Sequence, residues 1–220
     1  MAIAYNTNIV RDGLVLYLDA ANIKSYPGTG TVWNDLSGNG RNGTLINGVA
    51  YSTNNSGIMS FDGVNDYVDL PNNVGYSNTV SAFGWFKSNG TPIGDHHVIF
   101  GGLELEVTIH SSGFLRTGIV TSSRFVSNHG SGLNDGNWHY VGFTFDGSTK
   151  TAFIDGINVG TLSVSGTLVN SFSNRRIGRF GSSTAYYLNG NISDVKIYSR
   201  AISAAEIQQN FNAMRGRYNV

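Results

Sequence analysis

The sequence predicts an all-β sandwich of two antiparallel sheets with one short amphipathic helix at the C-terminal end. Apolar residues alternate with polar ones through most of the chain, which is the pattern of half-buried strands. Glycine accounts for 29 of the 220 residues, and the apolar segments follow one another at the short intervals of a sandwich. Helical periodicity stands out only near the C-terminus.

The first predicted strand, Leu14–Asp19, has three leucines on one face and Val15 and Tyr17 on the other, so both of its faces can be covered. Residues 20–57 are interpreted as a long loop region before the sandwich resumes. Further strands are predicted at Ile58–Phe61, Tyr67–Leu70, Val80–Lys87, His97–Phe100, Leu103–His110, Phe114–Val120, Trp138–Asp146, Lys150–Ile154, Ile157–Leu162, Arg175–Gly178 and Ile192–Tyr198.

The strongest turn signal is the pair Asp155-Gly156, which separates two apolar-alternating segments. A type I′ turn needs a positive φ at both central positions, and Asp and Gly tolerate this conformation. The sequence therefore predicts a tight hairpin at this pair. Asp146-Gly147, just upstream, predicts a second turn that leads into the first strand of the hairpin.

The C-terminal helix is indicated by its cap and by the spacing of its apolar residues. Ser203 and Glu206 have the S-x-x-E pattern of a capping box. Three apolar residues then recur at i, i+4 and i+7 on one helix face, and Gly216 is available to end the helix. The three apolar residues are Ile207, Phe211 and Met214.

The chain is predicted to form a single domain over residues 13–220, preceded by an N-terminal arm over residues 1–12. Neither a proline-rich linker nor an internal repeat divides the sequence. The arm is polar with the isolated apolar anchors Ile3, Ile9 and Val10, and such an arm can become ordered on a partner. Because no leader segment and no long apolar run is present, we expect no signal peptide and no membrane insertion.

Charge and residue usage argue against several classes of function. The 14 basic and 14 acidic residues cancel and form no basic stripe, which argues against a nucleic-acid partner. The sequence contains no cysteine, which excludes disulfides and thiolate metal sites. Phosphate-binding loops and the G-x-S-x-G nucleophile motif are also absent from the sequence.

Five motifs follow one another along the chain: GLVLYLDA from Gly13, WNDLSGNGRNGTL from Trp33, FDGVNDYVDL from Phe61, DGNWHYVGFTFDGSTKTAFIDGINVG from Asp135 and GNISDVKIYSRAISAAEI from Gly190. In this order they resemble the laminin-G-like, concanavalin A-like lectin/glucanase superfamily. The resemblance covers nearly the whole chain and implies a jelly-roll β-sandwich. That fold hosts lectins, adhesion modules and a minority of glycoside hydrolases and lyases, so function must be argued from sites.

The stretch from Asp12 to Leu45 is also similar to modules in structural proteins of tailed bacteriophages. This resemblance implies a non-catalytic virion surface protein, either a capsid decoration or a tail- or fibre-associated piece, that stabilises the particle or binds host-surface glycans. Its partners would be other virion proteins or further copies of itself, because modest interfaces add up on a lattice. We expect assembly in the bacterial cytoplasm, release by lysis and a place on the virion surface.

The alternative hypothesis is a free, soluble lectin that binds carbohydrate with the help of calcium. Many members of the superfamily hold one structural Ca²⁺, and by resemblance its candidate ligands here are Asp194, Asp19 and Asp62. Backbone carbonyls from turns can complete the oxygen set that a hard cation needs. The competing interpretation is that Asp62 caps its own turn and that Asp194 pairs with an arginine.

A polar or glycan-facing patch is predicted from aromatic and basic residues in loop-like sequence. Aromatic rings in loops are freer to face a ligand than those within strands, which are expected in the core. The pair His96-His97 lies at a strand entrance and can line the binding end of the sandwich. The candidate ligand-binding residues are Tyr186, Tyr187, Arg179, Arg124 and His97. The competing interpretation for each is packing within the protein.

A third hypothesis, a divergent glycoside hydrolase or lyase, rests on Glu104 and Glu106. At i and i+2 on a predicted strand the two side chains share a face, and hydrolysis needs two carboxylates across a sugar. Hydrolases of the superfamily carry E-x-D-x-x-E or E-x-D-x-E on such a strand. The segment here, ELEVTIH, lacks the central aspartate and the last glutamate. We therefore expect solvated carboxylates on a strand and no catalysis.

Overall fold

The computed structural model describes residues 8–92, 94–102, 104–169, 174–181, 183 and 185–220. These residues form two eight-stranded antiparallel sheets that pack face to face, which confirms the predicted all-β sandwich of the jelly-roll class. The first sheet contains β1 (Leu14–Asp19), β4 (Ala50–Ser52), β5 (Ile58–Asp62), β7 (Val80–Ser88), β12 (Trp138–Phe145), β13 (Thr149–Ile154), β14 (Ile157–Ser163) and β16 (Asn189–Tyr198). The second contains β2 (Val32–Trp33), β3 (Gly43–Ile46), β6 (Tyr67–Asp69), β8 (His96–Gly101), β9 (Leu105–His110), β10 (Leu115–Val120), β11 (Arg124–His129) and β15 (Arg176–Ile177).

Strand β16 organises the first sheet. One edge of β16 pairs with β7, and the other edge pairs first with β5 and then with β1. The remaining strands follow outward in the order β7, β12, β13, β14 on one side, while β4 lies beyond β5 on the other. In the second sheet the order is β11, β10, β9, β8, β15, β6, β3, β2.

The main core lies between the two sheets and is built from the inward-facing residues of both. Leu16 and Leu18 of β1 lie in this core, together with the buried ring of Trp33. A bulge between Leu14 and Leu16 reverses the alternation of β1, so that Leu14 and Tyr17 lie on the opposite face. Both faces of β1 are therefore covered, as the sequence predicts.

A second apolar cluster covers the outer face of the first sheet. It forms between that sheet and the C-terminal helix α1 (Ala204–Met214). Ile207 and Met214 of the helix face Trp85 and Tyr140 of the sheet, and the Trp85 ring stacks on Tyr218 at 4.2 Å between centroids. The central strands of the first sheet, β7, β12 and β16, are thus buried on both faces.

The cap of helix α1 confirms the sequence prediction. The Glu206 N–H donates to the Ser203 hydroxyl, and the Glu206 carboxylate accepts from the Ser203 N–H. The helix ends at Met214 and continues as a 3₁₀ turn, Arg215–Arg217, so Gly216 lies inside that turn and does not end the helix. Within the described ranges, no helix has the length and apolar character needed to cross a bilayer.

The predicted Asp155-Gly156 hairpin is confirmed. Asp155 has a φ of 50° and Gly156 a φ of 81°, which are the two left-handed residues of a type I′ turn between β13 and β14. The interpretation of residues 20–57 as a loop region is wrong in part, because β2, β3, β4 and a 3₁₀ turn at Asn54–Ser56 lie inside it. These strands have only two to four residues, and β3 forms by pairing with β6, which lies far along the chain.

One strand and one strand boundary differ from the sequence predictions. Strand β11 was not predicted, because its residues are mostly polar and half-exposed. The predicted strand from Leu103 starts at Leu105, and Leu103 itself lies outside the described residues.

The part of the N-terminal arm that the structure describes packs against the domain itself. The Val10 N–H donates to Asn210 Oδ1 at 2.8 Å, and the Tyr198 hydroxyl donates to the Val10 carbonyl at 3.1 Å. Val10 is buried in the second cluster with Ile9 packed against it. These two anchors are therefore occupied by the chain's own residues, whereas Ile3 lies outside the described residues.

A buried lysine crosses the sandwich from one sheet to the other. Lys150 of β13 is 1% exposed, and its ammonium donates to the Thr117 carbonyl at 2.6 Å and to the Phe125 carbonyl at 3.2 Å. Burial lowers the pKa of Lys150 from 10.5 to about 7, with Arg116 and Arg124 adding to the effect and Glu106 opposing it. The protonated ammonium is consequently a cost to the folded state near neutral pH.

The Lys150→Met variant tests this cost. Below a pH of about 7 the lysine is protonated in both folded and unfolded chains, so the full burial penalty applies. Between about 7 and 10.5 the folded chain releases the proton that the unfolded chain keeps, so wild-type stability rises with pH relative to the variant. Urea unfolding of both proteins across this range measures the difference. The exposed Lys24→Met is the control, and a wild-type-to-variant difference that is constant with pH contradicts the assignment.

Candidate functional site

A groove on the outer face of the second sheet is built by the alternation of its strands. In β9, the odd-numbered Leu105, Val107 and Ile109 point into the main core. Glu106 and His110 therefore point outward, together with Thr108. In the register with β8, His96 lies opposite His110 and Val98 opposite Thr108, which extends the outward face across the sheet.

The groove has a volume of about 410 Å³, and we call it the sheet groove. Its floor comes from β8, β9, β10 and β11, and its rim comes from the segment that follows β15. The lining residues are Asp95, His96, Val98, Glu106, Thr108, His110, Arg116, Arg124, Phe180 and Tyr186.

Glu106 is the charged centre of the sheet groove. Its carboxylate forms ion pairs with Arg116, at 2.9 Å from Nε to Oε1, and with Arg124. Thr108 Oγ1 donates to the same carboxylate at 3.1 Å. Gly118 lies opposite Glu106 in the register, and a Cβ there would lie 2.7 Å from Glu106 Oε2. A side chain at this position would therefore push the Glu106 carboxylate out of its present position.

A row of rings forms one wall of the groove. The rings of His96 and His110 meet edge to face at 5.0 Å between centroids, and those of His96 and Tyr186 do so at 5.6 Å. Phe114 stacks on His110 at 4.3 Å. Burial lowers the pKa of His96, and the positive charge of Arg116 lowers it further, so this ring is neutral at neutral pH.

The rim segment holds Phe180 and Tyr186 in place through its backbone. The Phe180 N–H donates to the Tyr186 carbonyl at 3.1 Å, and Arg179 and Tyr187 form an isolated antiparallel bridge. Arg124 lies over the Phe180 ring, with 5.1 Å from its guanidinium carbon to the ring centroid. Arg124 is thus fixed between a carboxylate and an aromatic face.

A second groove of about 420 Å³ adjoins the first. Tyr186 and Asp95 line both, and Tyr187 and Val64 line only the second. Arg179 stacks behind Tyr187 at 5.2 Å from the ring centroid. The two grooves form one continuous surface with Tyr186 between them.

The structure brings together most of the predicted ligand-binding residues. Arg124 and Tyr186 line the sheet groove, Tyr187 lines the adjoining one, and Arg179 supports Tyr187. His97 does not belong to the site. Its side chain points away from the groove, is fully buried, and makes a 2.7 Å hydrogen bond with the Gly90 carbonyl. Along β8, His96 and Val98 face the groove and His97 faces the other way, so of these two adjacent histidines only His96 lines the groove.

The charges that line the sheet groove balance. Asp95 and Glu106 oppose Arg116 and Arg124, and the two guanidiniums are about one-third exposed at their side chains. A guanidinium has five N–H donors, more than one carboxylate can accept. The groove therefore offers donors and acceptors without net charge, beside flat ring faces. Such a surface is suited to bind a polyhydroxylated ring.

Glu104 and Glu106 do not face a common open site. Glu104 lies just before β9, its side chain has no exposed surface, and it forms a buried ion pair with Arg175. The Tyr76 hydroxyl donates to Glu104 Oε1 at 3.0 Å. Because Glu104 is sealed from solvent, it cannot reach a sugar bound in the sheet groove. The expectation that Glu104 and Glu106 are solvated carboxylates on one strand is therefore wrong.

The predicted calcium ligands do not fit a calcium site. Asp19 and Asp194 lie opposite each other on β1 and β16, but each is bound to a cationic side chain, Arg217 and Lys196 respectively. Burial alone would raise the pKa of Asp19, but the Arg217 guanidinium holds this pKa below its usual value. Burial raises the pKa of Asp194, against the attraction of Lys196.

Asp62 lies far from the other two. Its register partner on β16 is Asn189, five positions before Asp194, which corresponds to about 16 Å along a strand. Its carboxylate accepts from the N–H groups of Val64 and Asn65 and caps its own turn, as the competing interpretation holds. Among the described residues, no three His, Asp or Glu side chains form a group that could hold a metal ion.

Several groove residues were missed from the sequence. Arg116, His110 and Phe180 are not predicted as ligand-binding residues, His96 is named only beside His97 at the strand entrance, and Glu106 is considered only for catalysis. The alternation of β9 contained a usable signal, because it places Glu106 opposite a run of apolar residues. Phe180 had no such signal, since its position depends on the pairing of the rim segment.

Comparison with known proteins supplies the fold family. The sequence profile of the Concanavalin A-like lectin/glucanases superfamily matches residues 62–208, more than half of the chain. No curated protein sequence matches this chain.

Three solved structures share the fold at low sequence identity. The binding domain of Paraclostridial Mosquitocidal Protein 1 has a TM-score of 0.71 at 16% identity, and the match covers 92% of this chain and 52% of that one. Domain 4 of AbnA, a GH43 extracellular arabinanase from Geobacillus stearothermophilus in complex with arabinotriose, has a TM-score of 0.67 at 15% identity over 91% and 98% of the two chains. Trypanosoma rangeli sialidase in complex with sialic acid has a TM-score of 0.67 at 19% identity over 93% and 33%. The chain thus spans about half of the first protein and one third of the third, and the likeness concerns the fold alone.

Proposed function

The chain belongs to the concanavalin A-like lectin/glucanases superfamily, and from this premise we propose that it is a non-catalytic module that binds carbohydrate in the sheet groove. The observation that carries the proposal is the composition of that groove. A buried carboxylate fixes two arginines beside a row of rings that ends in Tyr186. Sites of this kind, concave with a few placed polar groups and aromatic faces, are the usual form of small-molecule sites.

The balance of charge favours uncharged sugars. The two carboxylates and two guanidiniums of the groove cancel, and the neutral His96 adds none. An acidic sugar would add a third negative charge to a groove in which two guanidiniums already balance two carboxylates, and it would compete with Glu106 for Arg116 and Arg124. The hydroxyls of a neutral sugar can use the remaining donors at no such cost.

Two of the structural neighbours support a binding role. One is described as a binding domain, and the other, which this chain matches over nearly its full length, is a domain of an arabinanase in complex with arabinotriose. The sialidase match keeps an enzymatic relative in the comparison. The buried ion pair of Glu104 is the reason why we favour binding over hydrolysis here.

Substitution of Tyr186 and Arg124 tests the site. We expect Tyr186→Ala and Arg124→Ala each to weaken binding to neutral oligosaccharides by about tenfold or more, which corresponds to ~1.4 kcal/mol. Tyr186→Phe keeps the ring and is expected to retain most of the affinity. Binding is measured by isothermal titration calorimetry with the glycans found on an array.

The exposed Arg215→Ala, which lies on the far side of the first sheet, is the matched control for Arg124→Ala. Wild-type protein that binds no glycan on the array contradicts the function. Binding that both groove variants retain in full contradicts the site, and release of shortened sugars by the wild type contradicts the non-catalytic role.

We also propose that the module is carried on the surface of a phage virion, as a capsid decoration or a tail- or fibre-associated protein. The support is the similarity of residues 12–45 to modules of phage structural proteins. On this proposal the module docks on other virion proteins or on copies of itself, after assembly in the bacterial cytoplasm and release by lysis. The sheet groove then faces host-surface glycans.

Cryo-electron microscopy of the particle fraction tests the virion proposal. We expect density for a sandwich of this size at fixed, repeated positions on the particle, with the sheet groove turned outward. A chain recovered only as free protein, with particles that carry no such density, contradicts it. The glycan measurement above is independent of this result.

A further inference from the structure

Four charged side chains meet beneath the C-terminal turn, on the outer face of the first sheet. We call Asp19, Asp194, Lys196 and Arg217 the ion cluster. Asp19 and Asp194 are register partners on β1 and β16, and Lys196 follows two positions after Asp194 on the same face. Arg217 reaches the cluster from the 3₁₀ turn at the C-terminus.

The contacts in the ion cluster are short, and all of its side chains are buried except that of Arg217, which is 28% exposed. Lys196 Nζ lies 2.5 Å from Asp194 Oδ1, and both side chains are 0% exposed. Arg217 binds Asp19 through two bonds, Nη1 to Oδ1 at 2.8 Å and Nη2 to Oδ2 at 3.1 Å. The Tyr17 hydroxyl also donates to Asp19 Oδ2, at 2.7 Å. Such paired and bidentate contacts are the strong form of charged hydrogen bond.

Lys196 is the direct charge partner of Asp194. Asp194 Oδ2 has no hydrogen-bond donor among the described residues. Lys196 Nζ also lies 3.0 Å from Met214 Sδ and 4.9 Å from the centroid of the Tyr17 ring, and its positive charge helps to lower the pKa of Asp19. Without this ammonium, the carboxylate of Asp194 would be buried without direct compensation.

The cluster carries two negative and two positive charges and is therefore balanced. A calcium ion requires six to eight oxygen ligands in place of cationic nitrogens. The positions nearest the two carboxylates are filled by an ammonium and a guanidinium. A divalent cation placed there would have to displace both.

We propose that Lys196 and Arg217 serve as built-in counter-cations that take the place of a structural divalent metal ion between Asp19 and Asp194, so that the fold holds without calcium. The proposal does not depend on what the sheet groove binds. It also assigns Lys196 a structural role at a fully buried position, where an apolar residue would otherwise be expected.

Thermal unfolding of the full chain gives the first test. We expect the midpoint to agree within about 1 °C in excess EDTA and in millimolar CaCl₂, because a ligand that does not bind the folded state cannot stabilise it. A midpoint that rises with CaCl₂ in the wild type, where the rise is lost in Asp194→Asn, overturns the proposal.

A double-mutant comparison gives the second test. Lys196→Met keeps the length of the side chain but leaves the Asp194 carboxylate unpaired, so we expect a midpoint many degrees below that of the wild type. Adding Asp194→Asn removes the unpaired charge, and the double variant is expected to recover most of the loss. The matched control is Lys87→Met on β7, outside the cluster.

If Lys196→Met does not fold, the double variant and the calcium measurement still test the proposal. A double variant that folds with a near wild-type midpoint supports the proposal. Besides the calcium result above, the proposal is overturned if Lys196→Met is as stable as the wild type, or if the double variant is no more stable than Lys196→Met.

Discussion

The rest of the structure depends on the burial of β16 on both faces and along both edges. Its edges are hydrogen bonded to β7, β5 and β1, and its inner face contributes Ile192 and Ile197 to the main core. The outer face would leave Asp194 and Lys196 exposed to water if nothing covered it. Helix α1 and the turn that carries Arg217 cover it, and buried charges are tolerated only where they are paired. The ion cluster thus ties the C-terminus of the chain to its first strand.

Because helix α1 and the C-terminal turn cover the first sheet, the outer face of the second sheet is left to carry polar residues. Its alternation is the same as that of any half-buried strand, but its outward positions hold Glu106, Arg116 and Arg124 in place of simple solvated charges. Because these side chains are already held by their ion pairs, ordering them on ligand binding costs less entropy. The first sheet therefore stabilises the chain, and the second sheet presents the surface of the sheet groove.

The sequence predicts the sandwich, the helix cap and the Asp155-Gly156 hairpin, because each depends on local chemistry: alternation, a capping box and positive φ angles. It predicts less of the site. Tyr186 and Arg124 are predicted from their residue types, but of the adjacent pair His96-His97 the wrong histidine is chosen, because the sequence does not show which of the two faces outward. The calcium expectation followed the aspartates of the motif and could not see Lys196 and Arg217 folded against them. The Arg217–Asp19 contact joins residues 198 positions apart, which local patterns do not encode. Lys196 and Asp194 are only two positions apart, but their pair is buried because helix α1 and the C-terminal turn cover it.

The sheet groove is the proposed binding site for carbohydrate. The most direct measurement is a crystal structure of the chain with the oligosaccharide that it binds most tightly. We expect a sugar ring against Tyr186 with its hydroxyls within hydrogen-bond distance of Arg124 or Arg116, and with the Glu106 ion pairs intact. Sugar density on any other face of the sandwich, with the sheet groove empty, would contradict it.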